Sequence, residues 1–244
     1  MRSHNPVLTR NDTWAAPDAA QLEDMYAAPQ RMTIDDVVVK TGIMLGLLVA
    51  TAAVSWLLDL SALAFPAAIA GFVIALVVIF KKTPSPALCL AYAAVEGVFL
   101  GALSRVFEEA YPGIVLQAVG GTILCFGGVL ALYRSGVLRA TPLFKKVIMA
   151  AGVGILALFA INLVMMAFGG ELPVLNDSTP LGILLSVGLV TWGALSFVLD
   201  FDLIEQAERH GVPENVSWKV GFGLVLGLVF LYLQLLRLLA KLRD

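Results

Sequence analysis

The chain has 244 residues, of which 59% are apolar and only 14% charged, about half the charged share of a soluble domain. Sixteen basic and eighteen acidic residues are too few to coat a water-soluble particle of this size, which excludes an ordinary cytosolic enzyme and points to lipid as the solvent. A net charge of −2, with no basic run interleaved with aromatics, excludes nucleic acid as a partner. Cys89 and Cys125 fall in apolar stretches and read as small buried hydrophobes rather than a disulfide. His4 and His210 both lie outside the apolar segments, so no histidine metal site or histidine general base is available within the membrane.

Residues 1–40 form a polar N-terminal tail with Pro6, Pro17 and Pro29 and the acids Asp12, Asp18, Glu23, Asp24, Asp35 and Asp36. It lacks the basic start, apolar run and small-residue cleavage site of a signal peptide. At its end, residues 32–40 predict a short helix, with Thr33 as N-cap and acids in the first turn. Residues 41–244 then predict a seven-span transmembrane domain. Its apolar segments run over 41–60, 63–80, 86–106, 114–133, 147–168, 181–201 and 216–239, most of them near the ~20 residues that cross a hydrocarbon core. Lipid cannot satisfy backbone hydrogen bonds, and continuous apolar runs rather than alternating ones select helices over a barrel. The fold class is an all-α membrane protein, a seven-transmembrane-helix bundle; six spans plus a re-entrant last segment is the alternative.

Lys and Arg concentrate on the cytoplasmic side of membrane proteins. With the N-terminus inside, that side collects Arg2, Arg10, Arg31, Lys40, Lys81, Lys82, Arg134, Arg139, Lys145, Lys146, Arg209 and Lys219. The other side receives Arg105, Arg237, Lys241 and Arg243. The expected orientation therefore has a cytoplasmic N-terminus. Small residues recur four apart at Gly42 and Gly46, Gly97 and Gly101, Ala150 and Gly154, and Gly223 and Gly227, a spacing that lets membrane helices approach closely.

An ionisable group inside a span costs about 2.5–3.5 kcal/mol on insertion scales, so each is a functional candidate by default. Glu96 is the deepest acid, ten residues after Pro86 and hence roughly 15 Å along a helix. It reads either as an ion or proton site or as a structural carboxyl bonded to a neighbouring helix. Asp200 and Asp202 sit near the cytoplasmic end of the sixth span; two residues apart, they point about 200° from each other. Asp202 and Glu205, three apart, share a face. These acids line an ion path or mark the wet end of a helix, as Asp59 does at the end of the first span. Arg237 either snorkels to the interface or pairs with a buried acid. Gln234 and Asn162 read as polar glue between helices.

Several chemistries fail on the residues. There is no His-Glu-x-x-His zinc motif and no phosphate-cradling loop. A rhomboid-like serine protease would need a histidine in a span. Gly152-Val-Gly154 and Gly221-Phe-Gly223 are followed by Ile155 and Leu224 rather than by the aspartate of an intramembrane aspartyl protease, and Lys219 and Lys241 flank the last span rather than lie in its middle, as a retinal lysine would.

The order and spacing of Glu96 to Ser104, Ser196 to Gln206, and the closing Leu-Tyr-Leu-Gln-Leu-Leu-Arg-Leu-Leu resemble the Bax inhibitor-1 family, and within it a bacterial group with a polar N-terminal tail; the likeness runs over residues 32–242. The resemblance implies six helices around a central seventh and a pH-sensitive calcium leak controlled by two aspartates, one on each of the last two spans. Asp200 and Asp202 both match the first. For the second, anchoring the last span on Leu-Leu-Arg places the position at Gly227, and anchoring on Leu-Tyr-Leu places it at Gln234. From residue 216, Gly227 is about 16 Å and Gln234 about 27 Å along the helix, so Gly227 is closer in level to the sixth-span acids. Either way the second carboxylate of the latch is missing.

The expected function is a slow cation leak, calcium by resemblance, through the bacterial inner membrane. Asp202, Asp200 and Glu96 would line or gate the path and offer the calcium its oxygen ligands, with Glu205, Arg237, Gln234 and Gly227 in supporting positions. The expected partners are the lipid bilayer, calcium ions as cargo and a membrane-protein partner; no cofactor and no enzymatic activity are expected. The alternatives are a non-conducting regulator that binds other membrane proteins through its glycine-rich faces, and a proton-coupled transporter.

Overall fold

Helix-start chemistry sets the frame. In a computed structural model that describes residues 30–83, 85–170 and 172–243, Thr33 opens α1 (Ile34–Leu57) with a capping box: its hydroxyl accepts from the Asp36 N–H while the Asp36 carboxylate accepts from the Thr33 N–H at 2.9 Å. The helix continues without a break into the first span, so 32–40 holds the start of α1 rather than a separate helix. The polar tail over 1–29 lies outside the described residues. Thr-Pro pairs open two more helices, where the threonine hydroxyl caps and proline occupies a first-turn position that needs no N–H. Thr141 caps α5 (Pro142–Ala167) and Thr179 caps α6 (Pro180–Arg209). Between them in type, a 3₁₀ turn (Ser61–Leu63) leads into α2 (Ala64–Phe80), Ser85-Pro86 starts α3 (Pro86–Ala110), and Gly113, at φ 82°, precedes α4 (Ile114–Arg134). A single helical turn, Pro173–Asn176, lies between α5 and α6, and α7 (Val216–Arg243) closes the chain.

These seven long helices are apolar enough to cross a membrane, and the described residues contain no strand beyond an isolated bridge between Arg31 and Pro213. The re-entrant alternative for the last segment is not what folds: α7 is one uninterrupted helix of 28 residues, about 42 Å long, enough to cross the core and both headgroup layers. We call the side on which α1 begins the near side and the side on which α7 ends the far side.

The last helix is the central one. It packs against α1, α3, α4 and α6, and its buried residues include Phe222, Val225, Leu231 and Leu236. By contrast α5 rests chiefly on α6, where the indole of Trp192 donates to the Ile148 carbonyl at 3.0 Å. Trp192 lies so close to Gly152 that a methyl group there would come within 2.9 Å of its ring.

Of the small-residue pairs, one makes a tight helix contact on both members. A methyl group on Gly97 would lie 2.3 Å from the Leu48 carbonyl oxygen, and one on Gly101 would lie 2.2 Å from that of Ala52. Backbone therefore meets backbone where α3 crosses α1, the close approach that membrane helices use in place of a hydrophobic drive. Gly42, Gly46 and Gly154 meet nothing within 4 Å.

Candidate functional site

On the near side, α6 runs past its apolar portion. At 30 residues it is about 45 Å long, longer than a ~30 Å core requires, and its last turns carry the acids. Asp202 Oδ2 accepts from Lys145 Nζ of α5 at 2.5 Å and, on the same oxygen, from the Gln206 amide one turn along. Asp202 thus faces α5 and bridges the peripheral helix to its neighbour. Asp200 lies on a different face. It follows Phe197 by three and precedes Ile204 by four, both buried, which puts it on the inward stripe of α6. Half-buried there, Asp200 has no hydrogen bond or ion pair among the described residues.

Glu205 shares Asp202's turn but not its partner. It pairs with Arg209 at 3.1 Å and lines a near-side cavity of about 400 Å³ walled by Val38, Gly42, Phe126, Tyr133 and Phe201. Thr41, from α1, also borders this cavity; its hydroxyl is buried and unpartnered, and lies close to Gly221 of α7.

Glu96 sits midway along α3, one turn after Tyr92, whose ring packs edge-on against Phe222 of α7 at 4.9 Å. Glu96 is 7% exposed. Its carboxylate lies over Gly71 of α2, where a methyl group would come within 2.5 Å of Oε2, and it makes no hydrogen bond or ion pair among the described residues. Glycine at position 71 therefore leaves the room that the carboxylate occupies.

Glu96 and the sixth-span acids are not brought together. No three His, Cys, Asp or Glu side chains among the described residues form a group able to hold a metal ion.

Neither register of the last span places a polar group opposite Asp200 or Asp202. Gly227 faces Phe197, whose Cε1 would be 2.9 Å from a methyl group at 227. Phe197 belongs to an aromatic cluster with Phe126 and Phe201, at centroid distances of 4.9 and 6.3 Å. Gln234 lies on the far half of α7 with Arg237, in a second cavity of about 330 Å³. Read from sequence as interhelical glue, Gln234 instead has a buried Oε1 with no donor, and Asn162 accepts from the Leu172 N–H in the following loop at 2.9 Å. Arg237 pairs with no acid among the described residues. Asp59, which ends α1 at φ 51°, is paired with Arg105 at 3.1 Å.

Sequence reasoning missed two partners. Lys145 was visible only as one of a basic island, although it and Asp202 fall at the same end of adjacent spans. Lys40, counted with the near-side charges, is buried: its ammonium binds Glu214 Oε1 and Ser217 Oγ, each at 2.7 Å, and lies 5.8 Å from the centre of the Trp218 ring. Beside it Met32 N–H donates to the Val212 carbonyl at 2.8 Å and Ile34 N–H to Glu208 at 3.0 Å. The start of α1 is thereby clasped to the loop between α6 and α7.

Six apolar helices around a central seventh, with carboxyl groups inside the bundle that find no partner among the described residues, define a multi-pass helical membrane protein with an ionisable interior. A sequence model of the family described as Bax inhibitor 1 like matches residues 5–244, nearly the whole chain, and the chain belongs to that family. No curated protein matches it.

Proposed function

We propose that the protein is a slow cation leak, with calcium as its cargo, in which Asp200 and Glu96 are stations on the path and the Asp202–Lys145 pair holds the near end closed. The observation that carries this reading is the pair of carboxyl groups, buried Glu96 and half-buried Asp200, with no partner among the described residues. Ionisable groups at such depth mark ion pathways by default, and carboxylate oxygens suit a hard cation. The near side is the cytoplasmic face of a bacterial inner membrane in this reading, supported by the crowding of Lys81, Lys82, Arg134, Arg139, Lys145, Lys146, Arg209 and Lys219 there. The family's two-aspartate gate is replaced by the Phe197–Gly227 contact, so flux is not switched by a shared proton between the last two spans.

Calcium flux from proteoliposomes is the test. Asp200→Asn and Glu96→Gln are each expected to lower flux about tenfold, the equivalent of roughly 1.4 kcal/mol, while Lys145→Met raises it by releasing the near end. Unchanged flux in all three variants would overturn the assignment.

A second reading, a non-conducting regulator, is favoured by the outward face of α5, where Ala150 and Gly154 are exposed and open. It predicts no flux from the purified protein and a specific crosslinked partner at those two positions.

A further inference from the structure

The far half of the bundle holds a cavity that the leak reading does not use. Its walls are Phe99, Leu103 and Phe107 of α3, Phe159 of α5 and Phe230 of α7. Because α5 rests chiefly on α6 and does not pack extensively against α3, this face of α7 is left open sideways, towards lipid. Two polar groups enter the aromatic crevice, Gln234 and Arg237. Gln234 is 4% exposed, and no hydrogen bond among the described residues fixes its amide, so a rotation presents either its oxygen or its N–H₂ to the cavity.

Arg237 differs from the other far-side cations. Arg105 binds Asp59 and Glu109, Arg243 donates to the Pro112 carbonyl and Gln117, and Lys241 donates to the Gly182 carbonyl at 3.2 Å. The Arg237 guanidinium, one turn before Lys241, has five N–H donors and no acceptor among the described residues. It lies six residues before Arg243, the last described residue of α7, about 9 Å below the helix end.

We infer that this crevice binds a phospholipid with a net negative headgroup, its phosphate held by Arg237, an ester carbonyl one turn deeper at the Gln234 amide, and an acyl chain against Phe99, Phe159 and Phe230. Along α7 the polar groups lie in the order in which a lipid presents phosphate and then ester, with the aromatic walls beside them. A guanidinium offers a phosphate two parallel hydrogen bonds, and Lys241 on the adjacent turn adds positive potential that disfavours a headgroup carrying its own cation.

The test is native mass spectrometry of the full chain released from detergent, titrated with phosphatidylglycerol, phosphatidylcholine and soluble glycerol phosphate. The wild type is expected to retain one phosphatidylglycerol in preference to phosphatidylcholine and to leave glycerol phosphate unbound. Arg237→Gln should weaken that retention at least about tenfold, as loss of a charged hydrogen bond does, and Arg237→Lys should keep part of it. Leu103→Trp fills the crevice without touching the charge and should also displace the lipid, which covers the case in which the arginine variant does not fold. Equal retention in wild type, Arg237→Gln and Leu103→Trp would overturn the inference. So would binding of glycerol phosphate as tight as that of the lipid, which would make the site one for a soluble anion.

Discussion

Gly227 stands against the ring of Phe197, where a methyl group would come within 2.9 Å of Cε1. The missing carboxylate was legible in the sequence because either register of the last span lands on an uncharged residue. What fills its place was not legible, since Phe197 is distant along the chain and looks like any other apolar residue of α6. The structure supplies the reason that restoring an acid is unfavourable: the ring stands where a side chain at 227 would begin. Gly227→Asp should therefore destabilise the protein by about 1–3 kcal/mol through overpacking, read as a fall in melting temperature in detergent. Adding Phe197→Ala should recover part of that loss beyond the sum of the two single changes, the sign of residues in contact. If the two changes add, the ring is not what blocks the site. Lys40 carries a second residue-scale prediction. Its ammonium is held by Glu214, Ser217 and the Trp218 ring, so Lys40→Met strands Glu214 and should cost about 1–3 kcal/mol. The same substitution at exposed Lys82 should cost within about 0.5 kcal/mol.

Among the elements, the contacts divide helices packed against several neighbours from one that rests chiefly on a single neighbour. The spans themselves were readable from apolar runs, and most observed helices extend past those runs by a turn or more: α1 starts at Ile34, α5 at Pro142 and α6 ends at Arg209. Hydropathy reports the part of a helix that lies in hydrocarbon, whereas caps and polar turns at the ends form the same backbone hydrogen bonds outside it. Which small-residue pair carries a helix contact was not readable, because Gly42 and Gly46 have the same spacing as Gly97 and Gly101 and meet nothing. The physical difference is the backbone of α1 at Leu48 and Ala52. Gly101→Leu should therefore separate α1 from α3 and lower the melting temperature strongly, while Gly46→Leu, facing open space, leaves it nearly unchanged. Equal effects would mean that the α1–α3 crossing is not the tight one. The lightly held element is α5, tied to α6 by Lys145–Asp202 and by Trp192 to Ile148. Trp192→Phe removes one of those ties without altering charge, and faster amide exchange confined to α5 is the expected readout.

At the scale of the whole molecule, an odd number of crossings puts the two ends of the described chain on opposite faces of the membrane. Composition alone predicted the bundle, because scarce charge forces lipid as the solvent and lipid forces helices. The re-entrant alternative for the last segment came from charge as well, since Arg237, Lys241 and Arg243 are three basic residues on the side that the other loops keep nearly free of them. In the structure Lys241 is 5% exposed and donates to the Gly182 carbonyl, Arg243 donates to the Pro112 carbonyl and Gln117, and α7 runs unbroken over 28 residues. Neutral oxygens hold these cations at the end of the helix without removing their charge, so the seven-span fold rests on the unbroken last helix and not on the distribution of Lys and Arg. This makes a topological prediction that does not depend on flux. In a chain carrying Cys89→Ala and Cys125→Ala, a single cysteine introduced by His210→Cys, in the exposed loop after α6, and another by Leu242→Cys, exposed at the end of α7, lie on opposite sides. A membrane-impermeant maleimide applied to intact cells should label Leu242→Cys and not His210→Cys, and the pattern should reverse in inside-out vesicles. Labelling of both from one face would mean that α7 turns back within the membrane. Labelling of His210→Cys alone in intact cells would keep seven crossings but invert the orientation, placing Lys145 and Asp202 at the outer face.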